Sequence, residues 1–186
     1  MATELNPDTL HMIPLFRGMN ESEFRQIIEV TKVREFASGD LVVRQGDTSR
    51  DLWVLLEGQC EVVRQLKPGK GNPHDRESLL LAVLEPHTHF GEMSFFHPAP
   101  HSADIRTRSR VKVLQITHTA YGDMIQERML AAYKLAYNVV QQMAERLRKM
   151  DEWIDDLANN PDGSNVAEWS NFRNRVFNGW SIFAGD

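Results

Sequence analysis

Between residues 87 and 105 the chain reads His87-Thr88-His89-Phe90-Gly91-Glu92-Met93-Ser94-Phe95-Phe96-His97-Pro98-Ala99-Pro100-His101-Ser102-Ala103-Asp104-Ile105. This stretch gathers four of the seven histidines with a glutamate, two serines and an aspartate. A glycine at Gly91 lets the backbone approach a ligand closely. Glu92–Phe96 is long enough for one helical turn, and the opening N–H groups of such a turn lack intrahelical partners and suit an anion. Glu92 is an acceptor, so it suits a ligand hydroxyl rather than a phosphate. Pro98 and Pro100 stiffen the return of the chain to His101 and Ser102. Histidines at this density also raise metal ligation as a second chemistry, with His87, His89, His97 and His101 as its ligands.

Little elsewhere competes with that segment. Cys60 is the single cysteine, which excludes an intramolecular disulfide and any site built on several thiolates. It lies in the apolar run LWVLLEGQCEVV, where a buried, inert thiol is expected. No nucleophile–base constellation stands out, and a non-enzymatic protein is expected. The formal charge of −5 argues against a general polyanion binder. That charge is uneven: residues 1–150 balance, while residues 151–186 hold seven acids against Arg173 and Arg175. The first ten residues lack the basic stretch and apolar core of a signal peptide. The longest strongly apolar run, Leu79 to Leu84, is far short of a membrane span, so no membrane partner and a cytoplasmic location are expected.

The elements that must carry this segment are short strands framed by helices. Asn20 with Glu23 three positions on forms a capping-box pattern, opening a helix through about Val30. Strands are expected at Lys32–Phe36, Leu41–Arg44, Leu52–Leu56 and Cys60–Gln65, divided by turns at Ser38-Gly39-Asp40 and Gly46-Asp47 and by Gly58. Residues 67–78 have no apolar side chain and read as a surface loop. Strands resume at Leu79–Leu84 and run from Ile105 to Ile116. There Arg106, Arg108, Arg110 and Lys112 alternate with Thr107, Ser109, Val111 and Val113, which predicts four cations on one solvated face. Such spacing of turn signals points to an all-β barrel or roll. From about Thr119 the pattern is helical. Ala136, Val140, Met143, Leu147, Met150, Ile154 and Leu157 fall at alternating spacings of four and three, a seam that favours a second copy of the same helix and hence a homodimer through Ala136–Leu157. Beyond Asn159-Asn160-Pro161-Asp162-Gly163, the residues Trp169, Phe172, Val176, Phe177 and Trp180 predict a short amphipathic helix packed on the body.

FGEMSFFHPAPHSADI resembles the phosphate-binding cassette of the cyclic-nucleotide-binding domains found in catabolite activator proteins, protein kinase A regulatory subunits and gated ion channels. That family's pattern is roughly F-G-E-[LM]-[AS]-L-x(4)-P-R-[AS]-A-T-V, and it registers on this chain without a gap. IPLFRGM, SGDLVVRQGD, LWVLLEGQCEVV and MAERLRKMDEWI resemble the family's entry motif, its two turn-and-strand signatures and its long C-terminal helix. The likeness covers about residues 10–157. It implies a mainly β fold with flanking helices: a double-stranded β-helix, or jelly roll, of eight strands followed by a long dimerisation helix. The organisation it implies is an N-terminal helical segment at 1–30, a β-roll at 31–118 with its cassette at 90–105, C-terminal helices at 119–158 and an acidic, aromatic-containing tail at 159–186. It further implies a cyclic purine nucleotide, cAMP or cGMP, as ligand and no other cofactor. Glu92 would accept the ribose 2′-hydroxyl. The N–H groups of Gly91 and Ser102, with the Ser102 hydroxyl, would hold the cyclic phosphate, among cassette neighbours Met93, Ser94, His101 and Ala103. Arg146 matches an arginine near the site in the bacterial regulators, and Asp151 would face the base. Nucleotide contact with the helix would couple binding to the dimer seam.

Three positions depart from the pattern. His101 stands where the family keeps an arginine, and losing a guanidinium–phosphate pair costs on the order of 1.5–3 kcal/mol. Asp104 replaces a small polar residue and brings a negative charge toward the phosphate. His87 stands where a glycine is usual. These departures support an alternative reading, a degenerate dimeric interaction module of the same fold that binds nothing. A second alternative is metal binding. His87 and His89 followed by Glu92 resemble the metal motif of cupin enzymes, which are also β-rolls, although Glu92 falls closer to the second histidine than in those enzymes. A DNA-binding regulator is not expected, because the acidic stretch after the long helix is too short for a helix-turn-helix module. The reading is a sensor that acts on an unidentified protein partner.

Overall fold

The computed structural model describes residues 10–66 and 78–159, with residues 153–159 described by their backbone alone. The expected surface loop at 67–78 and the tail at 159–186 fall almost entirely outside the described residues, as do the side chains of Ile154 and Leu157.

Near the start of the described residues a 3-10 turn at Pro14–Phe16 has proline in its first turn, where no N–H is needed. Helix α1 (Glu21–Val30) starts as its sequence dictates. The Asn20 side chain accepts from the Glu23 N–H, and the Glu23 carboxylate accepts from the Asn20 N–H. Eight strands follow: β1 (Thr31–Phe36), β2 (Leu41–Val43), β3 (Asp51–Glu57), β4 (Cys60–Gln65), β5 (Ser78–Leu84), β6 (His89–Phe90), β7 (Asp104–Thr107) and β8 (Val111–Thr117). The short helix α2 (Glu92–Phe96) sits between β6 and β7. Helices α3 (His118–Gln126) and α4 (Leu130–Asn159) complete the described chain.

The strands form two antiparallel four-stranded sheets, β1-β8-β3-β6 and β2-β7-β4-β5. Strand β3 shows how the layers are built, because it is buried on both faces. Leu52, Val54 and Leu56 join Leu114 and Ile116 of β8 in a core shared with the helices, against Leu15, Phe16, Phe24, Leu135 and Val139. Trp53 and Leu55 point the other way, into the interior of the roll, with Val62, Phe90, Ile105, Val111 and Val113.

The continuous strand expected from Ile105 to Ile116 is not formed. The chain turns at residues 108–110, so Arg106 lies in β7 of one sheet and Lys112 in β8 of the other. The four cations therefore share no face. Arg110 pairs with Glu35, and Lys112 with Glu57 at 3.7 Å. The turn is pinned by Gly58, at φ +82°: a Cβ there would stand 2.3 Å from the Arg110 carbonyl oxygen.

The first half of α4 is tied to the N-terminal elements by polar groups. Lys134 Nζ donates to Glu23 Oε2 and to the Gly18 carbonyl, each at 2.7 Å. The Lys134 ammonium, outweighing burial, holds the Glu23 carboxyl below its usual range. Asn138 is buried and donates to the Leu15 carbonyl at 2.8 Å and the Arg17 carbonyl at 3.0 Å. Removing its amide takes that donor from both carbonyls, of which the Leu15 carbonyl is bonded in a buried setting. Asn138→Ala is therefore expected to lose about 2 kcal/mol of stability, read from the midpoint of denaturant unfolding. An unchanged midpoint would show that these two bonds do not anchor α4.

Candidate functional site

The site is built where β6 leaves its sheet. His89 and Phe90 pair with Val54 and Trp53, and the chain then turns sharply through Gly91 at φ +88°. A Cβ on Gly91 would lie 2.4 Å from the Asp51 carbonyl oxygen, so both conformation and space exclude a side chain. That turn delivers Glu92 as the first residue of α2. Its carboxylate is 9% exposed and its Oε1 lies 2.6 Å from Nη1 of Arg146, on α4, whose side chain is 12% exposed. Burial alone would push the Glu92 carboxyl up, but the Arg146 guanidinium and the polar groups around it reverse this and hold it below its usual range. Glu92 is an ionised, buried carboxylate with a partner on the long helix.

Behind this pair lies His89, fully buried. Burial, reinforced by the charge of Arg146 and opposed by Glu92 and Gln142, lowers its pKa to about 4. The imidazole is neutral at physiological pH. Cys60, in the roll interior, has its thiol pushed up to about 12 by burial and is inert, as its apolar surroundings imply.

In front of the pair opens a cavity of about 530 Å³. Val43, Val62 and Ile105 supply the roll side, and the cassette supplies Gly91 to Ser94 and Pro100 to Ala103. Helix α4 closes it with Met143 and Met150. The sequence assigns those two methionines to a dimer seam; they line the cavity, and at 37% and 47% exposure they remain partly open to solvent as well. Arg64 of β4 also lines the cavity, on the same strand face as Val62. The signal for it in the sequence is strand alternation from an inward Val62, which no motif around Arg64 reinforces.

The other cassette residues are placed as follows. His101 is buried, with Nε2 2.9 Å from the Ser49 hydroxyl and Nδ1 3.2 Å from the Ser94 hydroxyl. Its backbone bonds to Gly46 and Asp47 at 2.9 Å each. Ser102 is exposed on the cavity wall, Ala103 is buried beneath it, and Met93 is exposed at the rim. Asp104 does not bring its charge to the cavity. Its carboxylate turns away to accept from the Gln45 N–H at 2.7 Å and from Gln65 Nε2 at 3.2 Å. Asp151 does not face the cavity either: it is exposed, because the turn of α4 that reaches the roll presents Met150. His87 adopts φ +71°, the left-handed conformation for which glycine is usual. His97 is exposed while His89 and His101 are buried in separate settings. Among the described residues no group of three or more His, Cys, Asp or Glu is placed to hold a metal ion.

The model of the cyclic nucleotide-binding domain family matches residues 33–128, and the chain belongs to that family. It is 23% identical over 143 residues to a CRP-like cAMP-activated global transcriptional regulator of Mycobacterium tuberculosis, covering 77% of this chain and 59% of that protein. It is 24% identical over 116 residues to a cAMP-dependent protein kinase regulatory subunit of Schizosaccharomyces pombe, covering 62% of this chain and 26% of the subunit. The chain thus spans little more than half, or about a quarter, of these relatives. Among solved structures it is similar to the Thermus thermophilus catabolite activator protein, with a TM-score of 0.65, 25% identity and coverage of 78% and 63% of the two chains. No helix among the described residues is long and apolar enough to cross a membrane.

The environment of His89 sets a pH dependence. Between pH 6.5, its ordinary value, and about 4, the unfolded chain takes up a proton there that the folded chain refuses. Stability is therefore present above pH 6.5 and lost as pH falls through this window, by about 3 kcal/mol at full extent. The lowered Glu92 carboxyl adds a loss in the same direction below its ordinary 4.5. Denaturant midpoints measured from pH 7 to 4 should fall, and His89→Gln should flatten the stretch between 6.5 and 4. An equally steep fall in the variant would contradict the placement of a neutral imidazole.

Proposed function

We propose that this chain is a regulatory module that takes up a purine cyclic nucleotide, cAMP or cGMP, in the cavity between the roll and α4. The observation that carries the reading is the buried Glu92–Arg146 pair, whose Glu92 lines the cavity. A carboxylate has two acceptor oxygens, so Oε2 can take a ribose hydroxyl while Oε1 keeps the guanidinium. The N–H groups at Gly91 and Ser102 then face the cyclic phosphate, and Met143 and Met150 cover the base. The relatives are named as cAMP-activated and cAMP-dependent regulators, which supports a binding module rather than an enzyme.

Helix α4 carries the signal outward in this reading. Its face away from the roll exposes Tyr133, Tyr137, Val140 and Leu147, from 49% to 63% open. A ridge of that kind fits a second copy of the helix. Because Arg146 and the two methionines project from the same helix, cavity occupancy and dimer geometry share one rigid element.

His101 favours a second reading. With both ring nitrogens engaged by serines, His101 leaves no free ring nitrogen for a phosphate, as in a module of this fold that carries no ligand. Thermal unfolding with cAMP, cGMP and zinc separates the readings. A nucleotide at 100 times its Kd should stabilise the chain by about 2.7 kcal/mol. No shift with either nucleotide at millimolar concentration would favour the empty module, and a shift with zinc alone would favour metal binding.

A further inference from the structure

We infer that Arg64, on strand β4, supplies the guanidinium for the ligand's phosphate where the cassette itself has no lysine or arginine. The inference rests on the cyclic-nucleotide reading and assigns one contact within it. Among the described residues lining the cavity, Arg64 is the only lysine or arginine. The other guanidinium nearby, Arg146, is committed to Glu92 at 2.6 Å. His101 is spanned by Ser49 and Ser94, so its ring has no nitrogen to turn toward the cavity.

The position of Arg64 follows from strand geometry. Val62 pairs with Ile105 and Val63 with Asp104, so Arg64 comes level with the residues just before β7. Alternation places it on the inward side with Val62. Its Nε donates to the Ser102 carbonyl at 3.3 Å, which brings the guanidinium to the residue whose N–H and hydroxyl line the proposed phosphate subsite. The side chain is exposed, so a ligand can draw the fork inward without breaking a buried pair. A guanidinium is always charged and matches two phosphate oxygens at once, a role a single imidazole donor cannot take over. The charge has thus moved from the cassette to the strand that faces it.

The test compares a phosphate-bearing ligand with one that has none. Binding of cAMP and of adenosine to the full chain is measured by calorimetry for wild type, Arg64→Gln, Arg64→Lys and His101→Gln. Arg64→Gln should weaken cAMP about ten- to a hundredfold and leave adenosine unchanged, with Arg64→Lys between the two. His101→Gln should weaken cAMP less than Arg64→Gln does. Unfolding midpoints should stay the same for the Arg64 variants, since that side chain is exposed. Equal cAMP affinity in Arg64→Gln and wild type, or a parallel loss for adenosine, would overturn the assignment while leaving the cyclic-nucleotide reading intact. Failure of the wild-type chain to bind cAMP or cGMP would instead overturn that reading, and the role of Arg64 with it.

Discussion

Glu92 and Arg146 are taken out of water together, and much of the site depends on that fact. A buried carboxylate or guanidinium left alone costs several kcal/mol, so removing either partner is far more damaging than the net worth of the pair. The cassette can therefore seat Glu92 in the wall of the cavity only while α4 delivers Arg146 to it. Anything that competes for the Glu92 carboxylate acts directly on the long helix. A ligand hydroxyl has that chemistry, so in the proposed reading the pair serves for coupling as well as for attachment.

The rest of the helix is arranged around this contact. At its near end α4 is fixed by Lys134 and Asn138 to the carbonyls of residues 15–18 and to Glu23, and its apolar side is sunk among Leu15, Phe16 and Phe24. From Met143 onward the hold is narrower. Met143 and Met150 meet the cavity with unbranched, adaptable side chains, which under the proposed function suits a wall that fits both an occupied and an empty site. Polar groups are sorted by depth in the same way. The neutral His89 lies behind the ion pair, His101 is tied between hydroxyls in the wall, and Arg64 stands at the solvent side.

Local chemistry was the part the sequence displayed well. The capping box of Asn20 and Glu23, the single turn at Glu92–Phe96 and the need for glycine at Gly91 are each decided within a few residues, and the structure has all three. Contacts between distant segments were not displayed. Asp104 looked like a charge beside the phosphate because its partners, Gln45 and Gln65, are 59 and 39 positions away. The alternation from Ile105 to Ile116 ran through a turn, since exposed polar residues of a turn and of a strand face look alike in a period-two pattern. On α4 the spacing marks the apolar side chains Val140, Met143, Leu147 and Met150 that the structure leaves exposed, but spacing does not say that two of them also line the cavity. Met143 and Met150 belong to the cavity as well as to the outer ridge, and the next position, Asp151, is turned to solvent.

The central claim is that an occupied cavity is sensed by α4 through Glu92 and Arg146. Hydrogen exchange along the backbone of α4, with the cavity empty and then saturated with cyclic nucleotide, tests it most directly. The account predicts slower exchange over residues 139–150 on saturation, with β1 and β8 little changed. Saturated binding that leaves exchange across the whole of α4 unaltered would contradict it.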